Sequence, residues 1–305
     1  MLMAPAGPSW RALSRVWPHS DASRFVEVGS MRWHVQDMGR EMGQECTQAP
    51  TLLLIHGAGA STHSWRAMMP ALAEHFRVIA IDLPGHGFSG SPPVYRPTLP
   101  RVSRLLGELL DVLDADVKLV VGHSAGAAIG AWMALQDAIK PAGLVAFNGA
   151  FKPFDGAAGT IFPALAKLLF VNPLTPRLLA IGGRDATRVE RLIEGTGSTL
   201  DEDATKYYKI LMGSPGHVSG VLAMMANWDL EPLVRKFPDL ACEAFFIASS
   251  KDRAVLPAVS KEQAGCIARA SYEEWEGLGH LAHEEAPERA AERVMSFART
   301  INLLE

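Results

Sequence analysis

Serine, histidine and aspartate side chains occur in this chain in a pattern that could run nucleophilic acyl transfer. Ser124 lies in Gly122-His123-Ser124-Ala125-Gly126, directly after the apolar run Val117-Lys118-Leu119-Val120-Val121 and before a helix-forming stretch from Ala125 to Ala138. A Gly-x-Ser-x-Gly string between a strand and a helix is the signature of a nucleophile elbow, in which flanking glycines permit a turn too sharp for bulkier residues. A serine hydroxyl is a poor nucleophile at neutral pH. It needs a base within hydrogen-bond reach and a carboxylate to orient that base. His280, in Gly277-Leu278-Gly279-His280, and Asp252, in Lys251-Asp252-Arg253, follow in the order nucleophile, acid, base. The plainer alternatives, a solvent-exposed loop histidine for His280 and a helix cap for Asp252, are the less favoured readings in this context.

Acyl transfer also requires donors for the oxyanion that develops on the attacked carbonyl, each worth on the order of 3 kcal/mol. His56-Gly57-Ala58-Gly59 follows the apolar run Thr51–Ile55. There the backbone N–H of Ala58 could join that of Ala125, the residue after the nucleophile. His56 is expected to brace this loop. Candidates for lining a substrate pocket are His56, Gly57, Trp65, His123, Asn148 and Phe162, each of which plain packing would explain as well. Asp82-Leu83-Pro84-Gly85-His86-Gly87 could suggest a phosphate loop, but no lysine of the phosphate-binding type follows and Pro84 lacks a backbone donor. It reads as a structural turn beside the site.

These residues need a scaffold that gathers strand ends. Strands are expected at 24–28 and 31–36 as an edge hairpin, then at 51–55, 77–81, 117–121, 143–147, 244–249 and 271–275. Helices are expected at 62–74, 100–113, 125–138, 257–268 and 287–301. Unbroken apolar strands alternating with helices imply a mainly parallel sheet covered on both faces. The alternation lapses between Ala150 and Asn227, a leucine- and proline-rich region without clear strands. The expected division is therefore a lead-in at 1–22, a core at 23–150 and 228–305, and a helical cap at 151–227.

A chain of 305 residues with 48% hydrophobic side chains can bury one large core. With 29 basic and 33 acidic side chains the net charge is −4, which offers no broad basic field for nucleic acid. Three cysteines, Cys46, Cys242 and Cys266, show neither C-x-x-C nor zinc-ligand spacing. A reduced, cytoplasmic setting fits them. Residues 1–17 lack the continuous apolar stretch of a secretion signal, and no run reaches the length of a membrane span.

With these motifs in place, the sequence resembles the α/β-hydrolases over roughly 25–301. The resemblance implies an α/β-hydrolase fold, with an eight-stranded, mostly parallel sheet, helices on both faces and a helical cap after the sixth strand. It also implies no metal or organic cofactor. Within that superfamily, four segments resemble the hydrolases encoded with bacteriochlorophyll-biosynthesis genes and often called magnesium-chelatase accessory proteins. They are Val120 to Ile129, Gly195-Thr196-Gly197-Ser198, Met224 to Leu230, and Gly277 to Glu285. This implies a role near magnesium insertion into porphyrin and transient contact with the chelatase.

The expected activity is that of a serine hydrolase acting on a hydrophobic ester or related carbonyl; esterases, thioesterases and C–C bond hydrolases remain open. Serine at the elbow argues against branches that use aspartate there to form an alkyl-enzyme ester. The cap run from Ile161 to Val171 carries one charge in eleven positions. It could pack on the core, wall a pocket for an acyl chain or porphyrin ester, or touch a membrane surface, the least favoured of the three for want of a strongly cationic face. A different class of function stays in view: a non-catalytic helper that binds porphyrin or assists the chelatase.

Overall fold

A computed structural model describes residues 5–39, 49–92, 96–153, 169, 172 and 174–305. Eight strands form one sheet: β1 (Ser23–Val28), β2 (Met31–Met38), β3 (Thr51–Ile55), β4 (Arg77–Ile81), β5 (Val117–His123), β6 (Gly143–Phe147), β7 (Glu243–Ser249) and β8 (Ala270–Trp275). Their order is β1-β2-β4-β3-β5-β6-β7-β8. β2 pairs antiparallel with both neighbours, and the pairs from β4 to β8 are parallel. This is the α/β-hydrolase architecture expected from the sequence.

The central strands are apolar without interruption because both of their faces are covered. Leu53 and Ile55 of β3 point into one core with Ile79, Ile81, Val120 and Leu144, while Leu52 and Leu54 point into the other with Val78, Ala80, Leu119 and Val145. Helices α3 (Leu99–Val112) and α4 (Ala125–Leu135) close the first face; α2 (Met69–Ala73) and α12 (Pro287–Thr300) close the second. Each fully buried leucine or isoleucine contributes about 1.5–3 kcal/mol. β8, at the sheet edge, alternates instead, with Tyr272 half-buried and Ser271 exposed.

Between β6 and β7 the described residues form α5 (Thr175–Gly182), α6 (Ala186–Gly195), α7 (Glu202–Met212) and α8 (Pro215–Asn227), followed by α9 (Glu231–Lys236); α10 (Pro257–Gly265) and α11 (Ala282–Glu285) flank β8. Most of the run 161–171, with Phe162, lies outside the described residues. No described helix is long and apolar enough to cross a membrane.

Three helices differ from expectation, the simplest being α10, which ends at Gly265 and not at 268. The stretch 62–74 is not one helix but a 3-10 turn, Thr62–Trp65, and then the short α2. Pro70 has no N–H to offer the Arg66 carbonyl, which instead lies 2.7 Å from His19 Nε2. α4 stops at Leu135, where Asp137 turns left-handed (φ 54°) and the Ala138 N–H reaches back to Met133 O. Residues 10–13 add a short helix, α1, within the expected lead-in. Trp17, 3% exposed, packs edge-on against Phe88 and Tyr207.

Candidate active site

The nucleophile candidate sits where β5 runs into α4. From Leu119 to Met133, Ser124 is the one residue that is not buried. Its φ of 51° and ψ of −118° place it in left-handed territory, a strain of about 1–3 kcal/mol for a non-glycine residue. The surroundings enforce it. Ser124 N–H donates to Phe147 O at 3.1 Å, and its carbonyl accepts from Ala150 N–H at 3.1 Å. A Cβ on Gly126 would lie 2.0 Å from Ile55 O, and one on Gly122 would lie 2.5 Å from the Ala127 backbone. Both glycines are thus required by close backbone approach.

Acid and base candidates meet beside this turn. His280 Nδ1 donates to Asp252 Oδ2 at 2.8 Å. The other carboxylate oxygen accepts the N–H groups of Ala254 and Val255, each at 2.8 Å, which fixes the carboxylate plane. Asn148 Nδ2 also donates to Oδ2, at 2.8 Å. The His280 carbonyl accepts from His123 Nε2 at 2.9 Å, tying the base loop to the residue that precedes Ser124.

Gly57 presses against the elbow: a Cβ there would lie 2.7 Å from His123 Nδ1 and 3.0 Å from Ser124 Cβ. This brings the 56–60 loop alongside Ser124. Ala58 is exposed, Ala125 is 5% exposed, and neither backbone N–H has a hydrogen-bond acceptor among the described residues. His56 braces the loop, accepting Leu83 N–H at Nε2 (2.9 Å) and facing Gly57 O with Nδ1 (2.7 Å). Burial holds it below the ordinary imidazole value. His217 of α8 supports the same loop, donating from Nε2 to Gly59 O at 3.2 Å while Nδ1 accepts Gly87 N–H at 3.1 Å.

Several residues expected to line a pocket sit behind the site. Trp65 is fully buried, and Asn148 and His123 are 1% and 2% exposed. Asn148 is occupied by Asp252. Trp65, His283, His123 and His280 make a column of rings with successive centroids 4.6, 4.5 and 4.7 Å apart. Burial pushes His283 down to about 3 and His123 well below its usual value, so both rings stay neutral at pH 7.

Residues that sequence reasoning did not single out complete the surroundings. Glu284, just beyond the base loop, accepts from Arg66 Nη1 at 2.7 Å and from the Tyr208 hydroxyl at 2.5 Å. Burial outweighs these partners and pushes its carboxyl up to about 7. Its only sequence signal is an acidic pair, Glu284-Glu285, that looks like an ordinary solvated helix turn. At the same carboxyl end of the sheet, Asp82 of the turn expected beside the site holds the chain after β4. It accepts from Thr62 N–H, Phe88 N–H and His34 Nδ1, which with the charge of nearby rings draws it down to about 2 despite burial.

No group of three or more His, Cys, Asp or Glu among the described residues is arranged to hold a metal ion. A surface depression of about 530 Å³ lies at the amino ends of β6 to β8, lined by Glu243, Arg269 and Arg293 among others. It is at the wrong end of the strands to serve Ser124.

Comparison with known proteins agrees with this fold. Residues 52–293 match the model of the "Alpha/beta hydrolase family". A protein named magnesium-chelatase 30 kDa subunit, from Rhodobacter capsulatus, is 38% identical over 287 residues, covering 94% of this chain and 98% of that one. Among solved structures, a putative lipase from Acinetobacter baumannii superposes with a TM-score of 0.74 at 19% identity, covering 96% of this chain and 97% of the lipase. An enol-lactonase from Burkholderia xenovorans gives 0.71 at 22% identity, covering 90% and 100%. At those identities the likeness speaks for the fold alone. A match across most of the length, on a sheet of this order with a Gly-x-Ser-x-Gly turn after β5, means that the chain belongs to the alpha/beta hydrolase family.

Proposed function

We propose that the protein is a serine hydrolase in which Ser124 is the nucleophile, His280 the general base and then acid, and Asp252 the group that orients and stabilises the imidazolium. The observation that carries this reading is the 2.8 Å hydrogen bond from His280 Nδ1 to Asp252, set beside a strained, solvent-reachable Ser124. Ser124 Oγ would add to a carbonyl carbon while His280 Nε2 takes its proton. The oxyanion would be held by the N–H groups of Ala58 and Ala125. Collapse expels the alcohol or thiol with the proton from His280, and water then cleaves the acyl-enzyme by the same relay. The substrate class is a hydrophobic ester or related carbonyl compound, covered by residues 151–227 as a cap.

The experiment is labelling with a fluorophosphonate, read by intact mass on wild type and Ser124→Ala. One adduct on wild type and none on Ser124→Ala is expected. A folded wild type that takes up no adduct overturns the assignment.

A second reading has its own support in the 38% identity to the chelatase-named relative. Here the protein assists magnesium insertion, in contact with the chelatase, by binding a porphyrin or porphyrin ester. Saturable quenching of protoporphyrin fluorescence that persists in Ser124→Ala is the result that favours it.

A further inference from the structure

The Gly195-Thr196-Gly197-Ser198 run takes no part in the chemistry just described, yet it is wedged between the two loops that carry the acid and the base. Arg253 N–H, one residue after Asp252, donates to Thr196 O at 3.0 Å. Leu281 N–H, one residue after His280, donates to Ser198 Oγ at 2.8 Å. Ser198 is 1% exposed. Its hydroxyl therefore exchanges no partner with bulk water, and the Leu281 N–H has this one oxygen to satisfy it.

The backbones interlock as tightly as the hydrogen bonds imply. Gly197 is left-handed (φ +88°), and a Cβ there would lie 1.8 Å from Lys251 O. A Cβ on Gly279 would lie 2.2 Å from the Gly197 carbonyl carbon. Lys251 N–H donates directly to Leu278 O at 2.9 Å, closing the triangle between the three segments. Glu285 adds a brace from outside, with Oε1 accepting Gly279 N–H at 2.8 Å and Oε2 accepting Thr199 N–H at 3.2 Å.

We propose that the segment 196–199 is a clamp that sets the distance and angle between Asp252 and His280, with Ser198 as its positioning residue. The assignment of a catalytic outcome to this clamp rests on the serine-hydrolase reading; the geometric part does not. The two loops touch each other directly through the Lys251–Leu278 bond, and the 196–199 segment adds a contact to each, so it bears on how they are placed relative to one another. That segment belongs to the stretch between β6 and β7. The part of that stretch from 196 to 199 is then a fixed component of the site, and substrate entry has to be provided by other residues.

The test compares wild type, Ser198→Ala, Ser198→Thr and Glu285→Ala by two readouts. The first is the rate of fluorophosphonate labelling at Ser124. The second is the low-field proton resonance of His280 Nδ1–H bound to Asp252, which requires no activity. Expected for Ser198→Ala is a labelling rate reduced about 10- to 100-fold, the scale of loss for small misplacement of a catalytic group, with a broadened or absent resonance and an unchanged circular-dichroism spectrum. Ser198→Thr, which keeps the hydroxyl, restores both readouts, and Glu285→Ala shows a smaller loss of the same kind. A folded Ser198→Ala with the wild-type rate and resonance overturns the proposal. If Ser198→Ala does not fold, Glu285→Ala decides, and wild-type values there overturn it. Absence of labelling in wild type removes the hydrolase reading and leaves the resonance to judge the clamp: its loss in the variants supports the clamp, and its retention, or its absence from wild type, overturns it.

Discussion

Asn148 donates its side-chain amide to the very oxygen of Asp252 that receives His280, each contact being 2.8 Å. Asn148 is held left-handed (φ 48°) at the end of β6, and its own N–H donates to Ile247 O at 2.7 Å, so it approaches from a rigid backbone. Removing the amide in Asn148→Ala should leave a carboxylate that rotates more freely and lower kcat/KM, or the labelling rate, about tenfold with little change in KM. Asn148→Asp should do worse at neutral pH. Two carboxylates at hydrogen-bond distance cannot both ionise readily, so the pair would share one proton and one negative charge, and part of that charge would leave the oxygen facing His280. Steady-state kinetics across pH on the three proteins checks this.

Ser124 separates strain from chemistry. Ser124→Ala and Ser124→Gly should both lose labelling completely. At φ 51° alanine keeps the strain that glycine relieves, so Ser124→Gly should be the more stable of the two by about 1 kcal/mol, read as a higher Tm. Equal midpoints would mean that the turn is not strained.

Gly126→Ala should cost more than about 4 kcal/mol or prevent folding, because its methyl would meet Ile55 O at 2.0 Å, between the end of β3 and the first turn of α4. Gly107→Ala, on α3 where a Cβ meets nothing within 4 Å, is the control and should be neutral or slightly stabilising. Urea unfolding of both variants gives the comparison.

Glu284 joins Arg66, at the end of the 3-10 turn Thr62–Trp65, to Tyr208 of α7. Glu284→Ala leaves a partly buried guanidinium and a buried hydroxyl without their acceptor and should cost about 3 kcal/mol. With its carboxyl raised to about 7, Glu284 carries a proton about half the time near neutrality, so Glu284→Gln should cost markedly less at pH 7 than Glu284→Ala. Equal losses in the two variants would show that the charge and not the hydrogen bonding matters.

Acid sensitivity follows from the buried imidazoles. His217 is pushed down to about 4 and His283 to about 3 from the ordinary imidazole value of 6.5, in both cases by burial first. Between pH 6.5 and those values the unfolded chain binds protons that the folded one refuses, so stability falls as pH falls, by on the order of 5 kcal/mol at pH 4. Glu284, raised rather than lowered, acts in the opposite sense between about 4.5 and 7 and offsets part of the loss. Below pH 4 Asp82, at about 2, adds a further loss as it too takes up a proton. Chemical denaturation at pH 7, 5.5 and 4.5 should show a steadily falling midpoint, and His283→Phe should flatten the slope. A midpoint independent of pH in this range contradicts the assignment.

The sheet was legible because burial on two faces leaves a simple trace. Thr51–Ile55, Arg77–Ile81 and Gly143–Phe147 are read from the sequence with the boundaries found in the structure. The break in the helix after Thr62 was missed, although Pro70 was in plain sight, because apolar periodicity outweighed one absent donor. Placement of Asp252 and His280 at strand ends could be inferred from order along the chain, but the direction of a side chain could not. That is why Trp65, His123 and Asn148, expected at a pocket wall, are found buried, with their side chains turned away from solvent. Glu284 was hidden for the converse reason: nothing in an acidic pair announces that one member is buried against Arg66 while its neighbour braces Gly279.

The contact between the beginning of the chain and α8 bears on how the molecule assembles. Gly216 N–H donates to Ala6 O at 2.9 Å, and Gly216 lies so close to Ala6 that a Cβ would come within 2.5 Å of its carbonyl carbon. The two residues are 210 positions apart. On a ribosome, Ala6 therefore has no partner on α8 until most of the polypeptide has emerged, whereas Trp10 and Trp17 can already meet the rings of Phe25, His34, His63 and Phe88. Closing so long a loop is slow, since its entropy is lost before any contact rewards it. The Ala6–Gly216 contact therefore belongs to the final stage of folding, and a nascent chain halted short of α8 would lack it while already holding the ring partners of Trp10.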